Sequence, residues 1–297
     1  MSNAATGAGA PLEVIEEELR WKFRHQGRLL LAYNRGHVKW GDFYKSKPDW
    51  HPVHAPSGRE VTISSAFRYN HHHSIWIGHG NVNGVNVFHD NNPTRPNLGD
   101  IVLERAELRV EPRGTTLDTT NGWIAKDGRR LLTEVRRFTV RPDLLNGQAH
   151  ALDVDSEIIA SEGPVLLARE THSYLGVRVA DSIDVEDGGR AVNSNGDENE
   201  EGAMGKAASW LDYSGQVAGQ AAGITIMQHP SNPATPFFCR NYGTMLSNVT
   251  LHEPWSIPSG ERLRQRWRIL IHDGDAAAIS PDVAYRAWLA EAADDPS

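Results

Sequence analysis

Histidine side chains are concentrated in one stretch of the sequence. His71, His72 and His73 are consecutive, and His79 follows shortly after them. On a β-strand, His71 and His73 would point to one face and His72 to the other, because side chains alternate. Neutral imidazoles two residues apart can both reach a divalent ion above the sheet. The pattern makes His71, His72 and His73 candidate metal ligands. Hydrogen-bonded histidines at the beginning of a strand are the alternative interpretation.

A carboxylate and an imidazole lie close together in a second stretch. Glu170 and His172 precede a predicted strand at residues 176–180. Either side chain can transfer protons if it is buried beside the histidines of the first stretch. The alternative is an exposed pair at the end of a strand, with no catalytic role.

Further along the chain, two stretches carry groups that are typical of sugar sites. Trp210, Asp212 and Tyr213 combine an indole, a carboxylate and a phenol. Aromatic rings stack on the C–H face of a sugar, and carboxylates accept hydrogen bonds from its hydroxyl groups. His229 lies in a proline-containing loop that suits the wall of a site, and Arg240 can bind a carboxylate, a phosphate or a pair of hydroxyls. Ordinary core packing is the alternative for the aromatic residues.

The elements that must position these groups are predicted to be strands. Short runs of β-branched and aromatic residues recur between turn signals, for example at residues 60–63, 74–77 and 136–140. Several runs alternate apolar and polar residues, as half-buried strands do, and the turns between them contain Gly, Asn and Pro. This pattern predicts an all-β fold, an antiparallel β-sandwich.

One helix and one loop interrupt the strand pattern. Residues 280–290 have helical spacing, with Ser280 as a cap and Pro281 in the first turn. Residues 187–206 are rich in Gly, Asn and Glu and contain few large apolar side chains, which predicts a mobile loop. No linker separates two cores, so we predict one domain over residues 11–297, with residues 1–10 as a tag or leader.

Composition disfavours several functional classes. The formal net charge is −8 and no block of Lys or Arg is present, so nucleic acid is not an expected partner. No apolar run approaches the roughly 18 residues of a membrane span. Cys239 is the single cysteine, which fits a cytoplasmic protein. The sequence has no Gly-rich phosphate loop, so no nucleotide cofactor is expected, and a divalent metal is the candidate cofactor. A homo-oligomer is left open.

Taken in order, these segments resemble the bacterial methane-oxygenase-PmoA-like family, a domain of unknown function. The motifs that carry the resemblance are His71-His72, Trp76, His79-Gly80-Asn81-Val82-Asn83-Gly84, Glu170, Gly176-Val177-Arg178-Val179-Ala180, Trp210-Leu211-Asp212-Tyr213-Ser214-Gly215, His229-Pro230-Ser231-Asn232-Pro233 and Arg240-Asn241-Tyr242-Gly243. The resemblance implies a β-sandwich of the aldose-epimerase type and a role in carbohydrate metabolism. The family's inherited name refers to a membrane-bound monooxygenase, but this sequence has no apolar span, so methane oxidation is not expected.

Together, the motifs and the resemblance give an expected set of site residues. Acid–base catalysis is expected from His71, His72 and His229, with Glu170 or Asp212 as the partner carboxylate. The expected substrate contacts are Trp76, His79, Asn83, Arg178, Tyr213, Arg240 and Tyr242.

Three functions are consistent with this set. The first is an enzyme that acts on a sugar or an oxidised (keto) sugar derivative by proton transfer, as an isomerase, a lyase or a hydrolase. The second is a non-catalytic module that binds or senses a small sugar-like ligand. The third is a metal-dependent oxygenase, which requires two histidines and a carboxylate facing one open cavity.

Overall fold

The computed structural model describes residues 12–40, 43–67, 69–90, 97–111 and 114–293. Two eight-stranded antiparallel sheets form the body of the protein. The first sheet contains, in spatial order, β1 (Glu13–Glu16), β2 (Arg20–His25), β3 (Arg28–Asn34), β6 (Asp49–Val53), β7 (Ile75–His79), β13 (Ser173–Arg178), β18 (Thr244–Ser247) and β17 (Phe237–Arg240). The second contains β14 (Arg190–Asn193), β15 (Trp210–Val217), β16 (Gln220–Gln228), β20 (Arg262–Asp273), β11 (Ala149–Ile159), β10 (Arg130–Leu144), β9 (Gly114–Ala125) and β8 (Gly99–Glu111).

Smaller elements complete the fold. Two two-stranded sheets pair β4 (Val38–Trp40) with β5 (Phe43–Lys45) and β12 (Val165–Leu167) with β19 (Trp255–Ile257). The α-helices are α1 (Asn199–Ala203), α2 (Ala276–Ile279) and α3 (Pro281–Ala293), and short 3-10 helices cover Leu145–Gly147 and Asp181–Ile183. Strands dominate and pair antiparallel throughout both sheets, so the predicted antiparallel β-sandwich is confirmed.

Aromatic side chains connect the two sheets through a common core. Tyr33 and Trp50, from β3 and β6 of the first sheet, both pack against Phe138 of β10 in the second sheet, with ring centroids 5.4 and 5.2 Å from that of Phe138. All three side chains are almost fully buried. Burying an aromatic side chain of this size contributes roughly 1.5–3 kcal/mol of transfer free energy. This packing therefore holds the faces of the two sheets together.

The C-terminal helix forms where the sequence predicts it. Helix α3 begins at Pro281 and continues to Ala293, slightly beyond the predicted residues 280–290. Its Ala284 and Trp288 pack against Trp210 and Leu270, on the side of the second sheet that faces away from the core. In the described part of the chain, no helix is both long and apolar enough to cross a membrane.

Residues 187–206 differ from the loop that the composition predicts. They contain strand β14, which pairs with β15, and helix α1. Two small side chains, Ala191 and Ala203, are fully buried. The Glu200 carboxylate also accepts a hydrogen bond from the Asn241 backbone N–H at 3.0 Å. Small apolar residues and local hydrogen bonds therefore order a segment whose low apolar content suggested a loop.

A glycine allows three strands of the first sheet to pack closely beside the predicted site. Gly176 of β13 lies opposite Trp76 of β7 and Leu246 of β18 in the strand registers. A methyl group at this position would lie 2.7 Å from Leu246 and 2.8 Å from Trp76. The indole of Trp76 therefore occupies the space above Gly176.

We predict that Gly176→Ala lowers the free energy of unfolding by about 1–3 kcal/mol, because the added methyl overpacks the space between Trp76 and Leu246. Gly202→Ala is the matched control, since its methyl would meet neighbours no closer than 3.4 Å within helix α1. The control should raise stability by roughly 0.5–1 kcal/mol, as Ala replaces Gly inside a helix. Denaturant unfolding of both variants measures the two effects, and equal changes would contradict the packing described for Gly176.

Candidate metal centre

Three histidines from separate parts of the chain converge on one face of the first sheet. His71 precedes β7, His89 follows it, and His172 immediately precedes β13. One ring nitrogen from each residue lies within 4.8 Å of those of the other two. His89 is buried, whereas His71 and His172 are half-buried. In the described part of the chain, these three residues form a group that could hold a metal ion.

The pairing of β7 with β13 brings these histidines together. Ser173 lies opposite His79, and the Gly80 N–H donates to the His172 carbonyl at 2.8 Å. The chain then returns along β7, where the Val87 N–H donates to the His79 carbonyl at 3.0 Å. His89 and His172 therefore reach the same end of these strands, with ring centroids 4.9 Å apart.

The His71 ring closes the group from the other side. Its centroid lies 4.3 Å from that of His89 and 6.3 Å from that of His172. The buried ring of Phe88 packs against the group, 5.2 Å from His172 and 6.0 Å from His71. Phe88 therefore forms an apolar base under the three imidazoles.

Glu170 fixes the orientation of His172. The ring Nδ1 of His172 donates to the Glu170 carboxylate at 2.9 Å, which leaves Nε2 as the nitrogen with a lone pair. Backbone N–H groups of Thr171 and His172 donate to the same carboxylate oxygen at 2.9 and 3.2 Å. Burial raises the pKa of Glu170, but these hydrogen bonds outweigh it and lower the pKa to about 2. Glu170 is therefore an anion at neutral pH.

Gly80 makes room for this carboxylate. A methyl group on Gly80 would lie 2.6 Å from Cγ and 2.8 Å from Cδ of Glu170. The side chain of Glu170 thus packs directly on the backbone of the turn that follows β7. The His-Gly sequence at residues 79–80 is explained by this contact.

Asn86 positions His89. Its side-chain oxygen accepts the backbone N–H groups of Phe88 and His89 at 3.0 and 2.9 Å. Its side-chain nitrogen and oxygen lie 3.0 and 3.3 Å from Nδ1 of the His89 ring, and Nδ1 donates to the oxygen in the tautomer that leaves a lone pair on Nε2. One amide therefore fixes both the backbone and the ring of His89.

Electrostatics keep His71 in the form that binds metals. Burial lowers the pKa of His71 to about 3, and the positive charge of Lys47 adds to the effect. His71 is consequently neutral at pH 7, as a metal ligand must be. In a tetrahedral zinc site with Zn–N distances of about 2.1 Å, the ligand nitrogens lie about 3.4 Å apart. The three ring nitrogens lie within 4.8 Å of one another, so only a small inward movement of the rings would bring them to this spacing.

The structure does not place His73 with the metal ligands. Its Nδ1 donates to Asp49 at 3.0 Å and its Nε2 donates to Asp90 at 2.7 Å, so neither nitrogen is left for an ion. Lys45 and Lys47 pair with the same two carboxylates, at 2.6 and 3.0 Å. We call these five residues the buried charge chain. Strand alternation also fails here, because the three consecutive histidines precede β7 and are not part of it.

His72 forms an aromatic wall beside the metal centre. Its ring stacks on Tyr69, with centroids 4.9 Å apart, and on Trp76, at 5.6 Å. The hydroxyl of Thr244 lies 3.1 Å from His72 Nδ1. Burial holds the pKa of His72 far below its usual value, so the ring is neutral. The structure therefore places both His72 and Trp76 next to the site.

His79 and Asn83 stabilise the local backbone and lie outside the metal-binding group. His79 Nδ1 accepts the Asn81 N–H at 2.9 Å, and Nε2 donates to the Thr250 hydroxyl at 3.0 Å. The Asn83 side chain bridges the Leu166 N–H and the Pro164 carbonyl. Both side chains thus hold loops in place.

Three residues expected from the sugar-like motifs do not join the histidines. Asp212 accepts hydrogen bonds from Thr225 and His272, on the side of the second sheet that the helices cover. Tyr213 points into the core and donates to the Arg240 carbonyl at 2.8 Å. His229 hydrogen bonds to Ser231 in its own loop and packs near Trp288. For Tyr213, core packing is the role observed.

Arg178, Arg240 and Tyr242 continue the aromatic wall away from the metal centre. Tyr242 stacks on Tyr69, with ring centroids 4.6 Å apart. The guanidinium carbons of Arg178 and Arg240 lie 5.5 and 5.4 Å from the Tyr242 centroid. The structure therefore brings these three predicted residues together beside His72.

Sequence reasoning missed His89 and did not recognise His172 as a ligand. A lone His-Asp pair at residues 89–90 has no spacing that marks it as part of a site. His172 was identified only as a proton-transfer candidate beside Glu170. The convergence depends on the pairing of distant strands, which no local motif encodes.

Comparisons with known proteins identify a family but no activity. Residues 20–286 match the model of a family of unknown function, DUF6807. The resemblance to the methane-oxygenase-PmoA-like family is wrong, because the matching family is a different one and no comparison points to PmoA. No curated protein matches the sequence.

Among solved structures, a crystal structure of the alpha-galactosidase from Lactobacillus brevis matches 89% of this chain with 8% identity and a TM-score of 0.43. This chain covers 39% of that protein, so it spans less than half of its length.

We predict that Glu170→Gln weakens the binding of Zn²⁺ about 10–100-fold, because the neutral amide no longer orients and polarises His172. Isothermal titration calorimetry with zinc measures the affinity. Glu261→Gln, on an exposed turn, is the control and should bind zinc like the unaltered protein. Equal affinities in all three proteins would exclude a role for Glu170 in supporting the metal centre.

Proposed function

Because the chain belongs to DUF6807, a family of unknown function, we propose its activity from the site itself. We infer a divalent-metal-dependent enzyme that acts on a small sugar-like substrate by proton transfer. The observation that carries this proposal is the convergence of His71, His89 and His172, with ring nitrogens within 4.8 Å of one another.

The number of protein ligands favours a catalytic metal over a structural one. Structural zinc sites are usually closed by four protein ligands, whereas catalytic sites use three and keep a position open for water or substrate. The group found in the described residues has three members, two of them half-buried. A substrate can therefore approach the ion from the side of His71 and His172.

The chain's own residues supply orientation. A bound divalent ion would act as a Lewis acid toward a substrate oxygen. Glu170 holds His172 at 2.9 Å and keeps its free nitrogen available. The half-buried rings of Tyr69 and Tyr242 offer faces on which the C–H groups of a sugar ring can stack. His71 is a ligand in this proposal, which is one of the two roles that the sequence suggested for it, and it is not the acid or base.

The ligand set also bears on the other functions considered. An oxygenase of the facial-triad type needs a carboxylate as the third ligand. Among the described residues, Glu170 contacts His172, but its carboxylate is engaged with the His172 ring and the backbone. A non-catalytic sugar-binding module has the same groups available, so it is the alternative that the experiments must separate from an enzyme.

The metal content of purified, tag-free protein tests the first part of the proposal, that the three histidines bind a divalent ion. We expect about one divalent ion per chain, and we expect His172→Ala to reduce its affinity by at least about 100-fold, because one of three ligands is lost. His252→Ala is the matched control, since His252 is exposed and its ring donates to the Gly205 carbonyl, away from the three histidines. Retention of the ion in His172→Ala, or its equal loss in both variants, would contradict the site.

Exchange of substrate hydrogens with solvent tests the second part of the proposal, that the protein transfers protons to and from a sugar. The metal-loaded protein is incubated with a panel of aldoses and ketoses in D₂O and followed by NMR. Deuterium should enter a carbon position of a substrate only when the ion is present, because proton transfer through the enzyme equilibrates with solvent. Ligand binding without deuterium incorporation or product formation would support the binding module instead.

A further inference from the structure

Arg178 is a buried cation with incomplete hydrogen bonding. It is 5% exposed. Its Nη2 donates to Asp181 at 2.7 Å, but Nε and Nη1 are buried and have no hydrogen-bond partner among the residues that the structure describes. Leaving donors of a charged group unsatisfied away from water is energetically unfavourable. Such groups in native proteins are usually satisfied by a water, an ion or a ligand.

The position of Arg178 connects it to the metal centre. Arg178 lies opposite Thr244 in the strand register, and the Thr244 hydroxyl is 3.1 Å from His72. The His72 ring centroid is in turn 4.5 Å from that of His71. Arg178 and His71 therefore lie along one aromatic wall, in which the Tyr242 ring centroid is 5.5 Å from the Arg178 guanidinium carbon and 6.2 Å from the His72 centroid.

A second arginine stands on the same wall. Arg240 lies against the Tyr242 ring and pairs with Glu200 through Nη1 at 3.1 Å. Its Nε is also buried without a partner. The Arg240 side chain as a whole is 39% exposed. Tyr242 thus lies between two guanidinium groups that retain unused donors.

The charges around this wall limit the ligand. Asp181 and Glu200 each accept from one arginine, and Asp184 lies 3.9 Å from Arg178. These three carboxylates outnumber the two cations, so a dianion such as phosphate would be poorly compensated. Three neutral imidazoles would leave the full charge of a bound divalent ion available to attract an anion. A singly charged carboxylate fits both conditions.

We propose that Arg178, Tyr242 and Arg240 form a recognition subsite for the carboxylate of an acidic sugar, a uronic or aldonic acid. This inference rests on the proposed function, because the sugar would lie along the aromatic wall with its carboxylate at the subsite. The two arginines bind the substrate and are specificity residues. The carboxylate accepts from donors that have no acceptor in the free protein.

Calorimetry on the zinc-loaded protein tests the subsite with D-glucuronate, D-glucose and D-glucose 6-phosphate as probes. We expect glucuronate to bind at least about tenfold more tightly than glucose, since one hydrogen-bonded charge pair contributes about 1.5–3 kcal/mol. Arg240→Gln and the conservative Arg178→Lys should each weaken glucuronate binding at least about tenfold and leave glucose and zinc binding unchanged. Arg286→Gln, exposed on α3, is the control and should change nothing.

Equal binding of glucose and glucuronate, tighter binding of the phosphate, or full glucuronate affinity in both arginine variants would overturn the subsite. Zinc affinity is measured on the same samples. Absence of zinc binding would therefore refute the metal centre, whereas zinc binding without a preference for glucuronate would refute only the recognition of an acidic sugar.

Discussion

The buried charge chain is the interaction on which the site depends. His73 lies between Asp49 of β6 and Asp90, the residue after the ligand His89, and donates to both carboxylates. It therefore ties the segment of His71 to the segment of His89. Breaking such a pair by removing one partner leaves an uncompensated buried charge and typically costs about 3–5 kcal/mol. The buried charge chain fixes the relative positions of these two segments, and the site can therefore form from residues that are distant in sequence.

The aromatic and charged parts of the site have complementary roles. The stack of Trp76, His72, Tyr69 and Tyr242 excludes water and keeps His72 neutral. Next to it, the anionic Glu170 supplies a carboxylate that contacts His172, one of the three candidate ligands. Buried aromatic side chains lower the local dielectric constant, and this strengthens electrostatic interactions between a substrate and the neighbouring polar group. This division between wall and ion-binding group is what suits the site to a polar substrate.

Local sequence patterns predicted the fold better than the site. Alternation of apolar and polar residues indicates strands such as β11, and the spacing in residues 280–290 indicates helix α3, because both depend on near neighbours. Residues 187–206 were harder to predict, since their order depends on contacts such as that between Glu200 and Asn241. Asp212 and Tyr213 suggested a sugar site together, but adjacent residues on a strand face opposite sides and only one of them can face a given cleft.

The most direct test of the metal centre is a crystal structure of zinc-loaded protein with anomalous diffraction recorded on both sides of the zinc absorption edge. The account predicts a single strong anomalous peak bounded by ring nitrogens of His71, His89 and His172, at about 2.0–2.1 Å from each. A peak at another position, or the absence of zinc between these three rings in a protein that remains folded, would contradict it.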